Sequence, residues 1–261
     1  MLSEAKSASG GEKYAAVILA AGKGTRMNEG SASPIPKVMF EINSKPIIDW
    51  SVKLIRDAGI EKVVLVVGYK KELVEDYFKD TVEYAVQEQQ LGTGHATASA
   101  RLVLEGKAEN VIVFYGDNPL YKPETVQKLI KLYETEKPTI AMLSVVFDDP
   151  KFWAFGRIIK DGNGHVVDIV EQKDCNPEQL EIQESNTGFY IFDADWFWSN
   201  CEKLKTNNAQ GEYYLTDMIK IAAEQGKKVV CIPVSEVSEA QGINTPEQQR
   251  QAEKILQERQ N

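Results

Sequence analysis

At 261 residues, 43% hydrophobic and 26% charged, the chain has the size and composition of a folded α/β domain and not of a disordered protein. Its 30 basic and 39 acidic residues give a net charge of −9, which excludes the clustered cationic surface that nucleic acid or an anionic membrane requires. Three cysteines, odd in number and without a CxxC pair, exclude a disulfide framework and a zinc site and point to a reducing, cytoplasmic compartment.

Residues 1–12 are rich in Ser, Ala, Gly and Lys and read as a flexible tail, not a signal peptide. The apolar run at 14–21 is too short to span a bilayer. Short β-rich runs at 14–20, 62–67, 82–87 and 110–115 alternate with helical patterns at 46–58, 71–78 and 93–104, and Pro46 suits a first helical turn. That alternation predicts a mostly parallel, Rossmann-like sheet flanked by helices. After a helix over 122–136 the pattern changes. Strands are expected at 140–147, 157–160, 166–170 and 189–192, and Asp161-Gly162-Asn163-Gly164 closes a hairpin. Helices at 194–203 and 215–225, a strand at 228–233 and a helix at 246–260 complete the chain. With no Pro/Gly/Ser-rich linker and no repeat, we expect a single domain over 13–261. Its parts are a nucleotide-binding half (13–137), a smaller mixed-sheet half (138–245) and a C-terminal helix (246–261).

Leu19-Ala20-Ala21-Gly22-Lys23-Gly24-Thr25-Arg26-Met27 follows the first strand. Small residues at a strand's carboxyl end let backbone N–H groups approach phosphate oxygens, and Arg26 adds a bidentate donor. Lys37 lies ten residues on. No Gly-Lys-Ser/Thr follows as in a Walker A loop, and the third glycine of a dinucleotide fingerprint is missing. A tight strand-to-loop turn is the plainer alternative. In Gln87-Glu88-Gln89-Gln90-Leu91-Gly92-Thr93-Gly94-His95-Ala96, a turn opens a helix whose free N–H groups can face a ligand. The Gln87 amide suits a pyrimidine edge, while His95 reads as a polar residue of the first helical turn. In Tyr115-Gly116-Asp117-Asn118-Pro119-Leu120 the carboxylate at a strand end can anchor Mg²⁺ while phosphates and waters complete its shell; a turn-forming Asp is the alternative. Further on, Glu171 and Asn186 can hydrogen-bond sugar hydroxyls or sit on exposed hairpins. Thr216 or Asp217 could cap a helix, and Asn244-Thr245-Pro246 reads as another N-cap.

These motifs together resemble the sugar-nucleotide pyrophosphorylases. They most resemble the uridylyltransferase domain of bacterial N-acetylglucosamine-1-phosphate uridylyltransferases, over about residues 14–244. The resemblance implies a nucleotide-diphospho-sugar transferase fold whose second half binds the sugar. It places residues Leu19, Ala20, Ala21, Gly22, Lys23 and Gly24 on the nucleotide, Gln87 and Gly92 on uracil, and Thr93 nearby. Gly156, Glu171 and Asn186, joined by Glu212, Tyr214 and Thr216, would form the sugar pocket. Asp117 and Asn244 would hold Mg²⁺. The implied reaction is attack by a sugar-1-phosphate oxygen on the α-phosphorus of UTP, with Arg26 and Lys37 as catalytic groups on the pyrophosphate side and no general base.

Three departures stand out. The loop at 28–36 is a few residues longer than the family pattern, which makes its tip a candidate mobile lid. Phe152-Trp153-Ala154-Phe155 replaces an expected Gly-Tyr-Gly stretch, which leaves the sugar open, glucose-1-phosphate included. No hexapeptide period appears, so neither the relatives' acetyltransferase activity nor their trimeric assembly is expected of these residues. The rivals are a nicotinamide-dependent dehydrogenase, disfavoured by the missing glycine, and a catalytically silent nucleotide-sugar sensor, disfavoured by the retained Arg26, Lys37, Asp117 and Asn244.

Overall fold

The computed structural model describes residues 11–150 and 154–260. In chain order, β1 (Glu12–Leu19) leads to a short hairpin of β2 (Glu41–Ile42) and β3 (Lys45–Pro46). α1 (Ile47–Asp57), β4 (Val63–Val67), α2 (Lys71–Phe78) and β5 (Glu83–Val86) follow. Next come α3 (Thr93–Ser99), α4 (Arg101–Leu104), β6 (Ala108–Tyr115), α5 (Pro123–Glu136) and β7 (Ile140–Val146). The rest is β8 (Arg157–Lys160), β9 (Val166–Val170), α6 (Pro177–Leu180), β10 (Glu184–Asp193), α7 (Ala194–Asn200), α8 (Asp217–Glu224), β11 (Val229–Pro233) and α9 (Pro246–Gln260).

The main sheet runs β11-β7-β10-β6-β1-β4-β5, with the β8–β9 hairpin attached to β10. The strands β5, β4, β1 and β6 are parallel, and β10 lies antiparallel between β6 and β7. The sheet is therefore parallel over the β5-β4-β1-β6 part and mixed beyond it, as the alternation predicts. Two-sided burial explains the Val/Ile runs. Ala15, Val17, Val64 and Val66 pack on one face, while Ala16, Ile18, Val63, Leu65 and Val67 pack on the other. Truncating a residue such as Ile112, fully buried in β6, would cost about 2–5 kcal/mol. Helix α5 starts with Pro123 in its first turn and stops where Lys137 turns left-handed (φ 46°) and bonds the Tyr133 carbonyl.

Several boundaries differ from the sequence reading. β1 already begins at Glu12, where the Glu12 N–H bonds the Lys107 carbonyl; residues 1–10 of the expected tail lie outside the described residues, as do Phe152 and Trp153. The helix expected over 93–104 breaks at Ala100 into α3 and α4. β10 is ten residues long, not four, so Asn186 sits in a strand at 5% exposure and the exposed-hairpin reading fails there. The hairpin at 41–46, turned by Asn43 and Ser44 at φ 49° and 61°, and the Asn176-capped α6 are too short to leave a periodic signal. No helix among the described residues is long and apolar enough to cross a membrane.

β1, β4, β5 and β6 end in register, Leu19 beside Val66 and Tyr115, and Val67 beside Val86. Their following loops therefore meet along one sheet edge, where open α/β folds place ligands.

Candidate active site

A cleft of about 360 Å³ opens at that edge. Leu19, Ala21, Gly22, Lys37, Gln87, Gly92, Thr93, Asp117 and Glu212 line it, so one surface gathers residues from five segments of the chain. Ala20, Lys23, Gly24 and Arg26 belong to the same first loop without lining the cleft.

The phosphate-type loop leaves β1 after the Ala20 N–H bonds the Val66 carbonyl (2.8 Å). From Ala21 to Arg26 no backbone N–H donates to a described residue, whereas those of Met27 and Asn28 both return to the Gly24 carbonyl. Such a run of unspent donors leaves backbone N–H groups free to bind an anion. Gly24 has φ +64°, and a Cβ there would lie 2.6 Å from the Cβ of Lys37, so glycine lets the two chain segments close on each other. The longer loop beyond is tied at its base. Asn28 Nδ2 donates to the carbonyls of Lys23, Gly24 and Ile35, and its Oδ1 accepts from the Ile35 N–H. Lys70 Nζ also reaches the Pro34 carbonyl (2.6 Å). Both ends of the loop are thus fastened to each other, and Lys37 follows directly from that base into the cleft.

Lys37 Nζ pairs with Asp117 Oδ2 and also donates to Asn244 Oδ1 (3.0 Å), which receives Arg26 Nη2 as well (3.2 Å). Four residues far apart in sequence thus converge at one point. Asn244 arrives there because Ile243 N–H bonds the Asp117 carbonyl (2.9 Å) and Asn244 N–H bonds Gln248 Oε1 (2.8 Å). Thr245, not Asn244, caps α9, its Oγ1 accepting from the Gln248 N–H, so the Asn244 side chain is left for the site. Two hard oxygen donors thus meet on one cation. No group of three His, Cys, Asp or Glu residues suited to a metal occurs among the described residues.

At the other end of the cleft, Gln87 is 3% exposed. Its Nε2 contacts the Gly92 carbonyl and His95 Nδ1, each at 3.1 Å. The Gly92 N–H donates to no described residue. Gly92 has φ +112°, and a Cβ would come within 2.6 Å of the Tyr213 carbonyl, so only glycine fits there. Thr93 Oγ1 accepts from the Leu215 N–H (3.0 Å) and so fastens the 212–216 segment to α3.

A second cluster lies where β8 begins, β9 ends and β10 and the segment before α8 meet them. Thr216 Oγ1 donates to Glu171 Oε1 (3.2 Å) and makes no cap bond, which settles the capping alternative for its side chain. Burial, and then the charges of Asp174 and Asp217, hold the Glu171 carboxyl above the usual range, with the Thr216 bond opposing. A Cβ on Gly156 would sit 2.9 Å from Ile169 and 3.4 Å from the Glu171 carboxyl, so glycine leaves room for that side chain. Asn186 N–H bonds the Gly156 carbonyl, and Asn186 Oδ1 accepts from the Gly188 N–H. The Tyr214 hydroxyl bonds Gln210 (2.9 Å) and Asp174 (3.4 Å).

Tyr115 joins the two clusters. Burial raises its phenol, and the charges of Glu171 and Asp117 add to that effect while a hydrogen bond with Thr93 opposes it. Tyr115, Val38, Gln90 and Ala96 line the cleft without having been singled out as site residues; the one available signal was the position of Tyr115 just before Gly116-Asp117.

Comparison with known proteins decides the family. A family model described as Nucleotidyl transferase matches residues 15–237. The chain belongs to that family. Among relatives, the bifunctional protein GlmU of Clostridium novyi (strain NT) is 45% identical over 242 residues, 92% of this chain and 52% of that protein. GlmU of Geotalea daltonii (strain DSM 22248 / JCM 15807 / FRC-32) is 40% identical over 246 residues, 94% of this chain and 52% of that one. The nucleotidyl transferase chain thus spans about half the length of the curated relatives it matches. A solved UDP-glucose pyrophosphorylase complexed with UDP-glucose superposes with a TM-score of 0.76 at 20% identity, covering 95% of this chain and 99% of that one. The apo form of a UDP-glucose pyrophosphorylase gives 0.78 at 20% identity, over 95% and 100%. These two likenesses establish the nucleotide-sugar pyrophosphorylase fold.

Proposed function

We propose that this nucleotidyl transferase couples UTP to N-acetylglucosamine-1-phosphate, forming UDP-N-acetylglucosamine and releasing pyrophosphate. The observation that carries the reading is the convergence of Arg26, Lys37, Asp117 and Asn244 beside the run of unspent N–H groups. That arrangement is suited to a triphosphate, and a silent sensor would have no need of it.

Base choice rests on the far end of the cleft. Gln87 with both amide hydrogens engaged is an acceptor, and Gly92 N–H is a donor. An acceptor–donor pair matches the N3–H and a carbonyl of uracil and mismatches cytosine, whose N3 is an acceptor. The N–H groups from Ala21 to Arg26 would then receive phosphate oxygens, and Arg26 and Lys37 would take the charge that develops on the departing pyrophosphate. The sugar-phosphate oxygen is already ionised, so alignment, not proton removal, is what the residues supply. Glu171 and Asn186 would hold the sugar, and Glu212 and Thr216 would border it.

The donor set of Asp117 and Asn244 fits Mg²⁺, which takes one or two protein oxygens and completes its octahedron with phosphates and water. When bound there, the ion supplies charge neutralisation between the two phosphate groups. One assay tests the whole reading: pyrophosphate release across a panel of nucleoside triphosphates and sugar-1-phosphates, with and without Mg²⁺. Turnover confined to UTP with N-acetylglucosamine-1-phosphate is expected. Preference for glucose-1-phosphate would reassign the sugar, and no turnover with any pair would sink the enzymatic reading.

A further inference from the structure

The Gln87 amide has two hydrogens and two acceptor lone pairs, and what it can offer a ligand depends on which of these the protein has already used. One hydrogen goes to the Gly92 carbonyl at 3.1 Å, an atom that can only accept. That contact fixes which end of the amide is nitrogen. The other contact of the same nitrogen is His95 Nδ1, also at 3.1 Å. Because Nε2 has only donors, Nδ1 must be the acceptor, and the imidazole carries its hydrogen on Nε2. Both hydrogens are then engaged within the protein, and the polar atom that Gln87 has left for a ligand in the cleft it lines is Oε1.

From this geometry we infer that His95 is a specificity-determining positioning residue: it holds Gln87 as an acceptor-only group and so selects uracil over cytosine. The inference rests on the proposed reading of Gln87 as the base-contacting residue and deepens it. The scaffold around His95 supports a fixed role. It lies in the first turn of α3, which is docked by the Gly94 N–H on the Tyr213 carbonyl (2.8 Å). The His95 carbonyl accepts from Ser99 Oγ (3.0 Å), and its ring lies 6.3 Å from that of Tyr213, tilted by 31°. Without His95, only the Gly92 carbonyl opposes rotation of the amide, and a rotated Gln87 would present N–H groups, the match for cytosine N3.

Calorimetric binding of UTP and of CTP, with no sugar phosphate present, separates this inference from the catalytic reading. Wild-type protein is expected to bind UTP more tightly than CTP. His95→Leu, which lacks the acceptor, should narrow that preference by about 5- to 10-fold, the value of one net hydrogen bond, while CTP affinity holds or rises. Retained CTP binding shows that the variant is folded. His95→Asn, which places Oδ1 near the former Nδ1, should restore the preference to within about 2-fold. An unchanged UTP/CTP ratio in His95→Leu, equal losses for both nucleotides, failure of His95→Asn to rescue, or a wild type indifferent to the base would each overturn the inference. Uracil-selective binding without pyrophosphate release would refute the proposed catalysis and leave the role of His95 supported.

Discussion

Lys37→Met probes the centre of the site with opposite expected effects on two measurements. The Lys37 ammonium pairs with Asp117 and bonds Asn244, the two oxygens assigned here to Mg²⁺. In the free protein the lysine therefore competes with a divalent cation for the same donors. The side chains of Lys37 and Asp117 are only 18% and 16% exposed. At an effective dielectric of about 20, opposite charges about 3 Å apart attract by roughly 5 kcal/mol. Desolvation offsets more than half of that, leaving about 1.5–3 kcal/mol for a hydrogen bond between charged groups. Removing the ammonium should therefore tighten nucleotide-free Mn²⁺ binding, read by electron paramagnetic resonance of the free ion, by about 10- to 100-fold. Pyrophosphate release should fall in the same variant by about 10²- to 10³-fold, because the cation facing the leaving group is gone. Mn²⁺ binding that stayed the same or weakened would refute the claim that Lys37 and the metal share one set of ligands.

Other expectations concern how the site is held. Asn118, 3% exposed, donates its amide to the carbonyls of Glu239 and Gln241 (3.2 and 3.0 Å) and so straps the Asn244 segment to the end of β6. Asn118→Val should cost about 1–3 kcal/mol in chemical denaturation and weaken Mn²⁺ binding as well; unchanged Mn²⁺ affinity would show that the strap does not position Asn244. Burial, and then the charge of Asp168, push the Asp217 carboxyl up to about 6 from 3.8. The folded chain thus keeps a proton that the unfolded chain gives up between those values, and stability falls as pH rises through that window. Asp217→Asn should be more stable than wild type by about 1 kcal/mol at pH 7.5, solvent screening included, and should show no advantage once the pH drops below the unfolded value. An equal advantage at both pH values would rule out titration as the cause. Asn28→Ala removes the clamp on the first loop and should lower kcat/KM for UTP by at least about 10-fold, whereas replacing Gly30–Ser33 with a two-residue link should leave it within about 2-fold. A large loss from the shortened tip would mean that the tip itself touches substrate.

The strands with two buried faces were readable because unbroken Val and Ile runs between helical patterns are what a strand covered on both sides requires, and the Asp161–Gly164 turn closed its hairpin as expected. β10 was half missed because Glu184-Ser185-Asn186-Thr187-Gly188 is polar. Asn186 and Thr187 are buried there with Gly156 and Leu143 as hydrogen-bond partners, the half-buried Glu184 accepts from Ser144, and Gly188 at φ +80° sits where the register shifts. The glycine-rich first loop could be singled out as a candidate phosphate site from its own composition. The meeting of Lys37 with Asp117, 80 residues on, and Asn244, 207 residues on, was not: no period links them, and only family resemblance joined them before the fold did. His95 was read as a plain helical residue because its partner lies in the preceding turn, and the direction of a side chain is not written in spacing.

The same cluster explains how a protein of net charge −9 could receive the proposed triphosphate and sugar phosphate. Attraction at the site depends on local charge, since distant surface carboxylates are screened beyond about 8–10 Å at physiological salt. Locally, Arg26 and Lys37 supply two cations and Asp117 one carboxylate, and Asn244 supplies an oxygen without charge. Within these four residues one positive charge remains, next to the unspent N–H groups from Ala21 to Arg26. A second carboxylate in place of Asn244 would cancel that charge and would hold Lys37 and Arg26 more firmly in the ligand-free state. An asparagine keeps the donor atom and leaves both cations easier to release toward phosphate. The amide at 244 thus joins this group of residues through an oxygen donor without cancelling its positive charge.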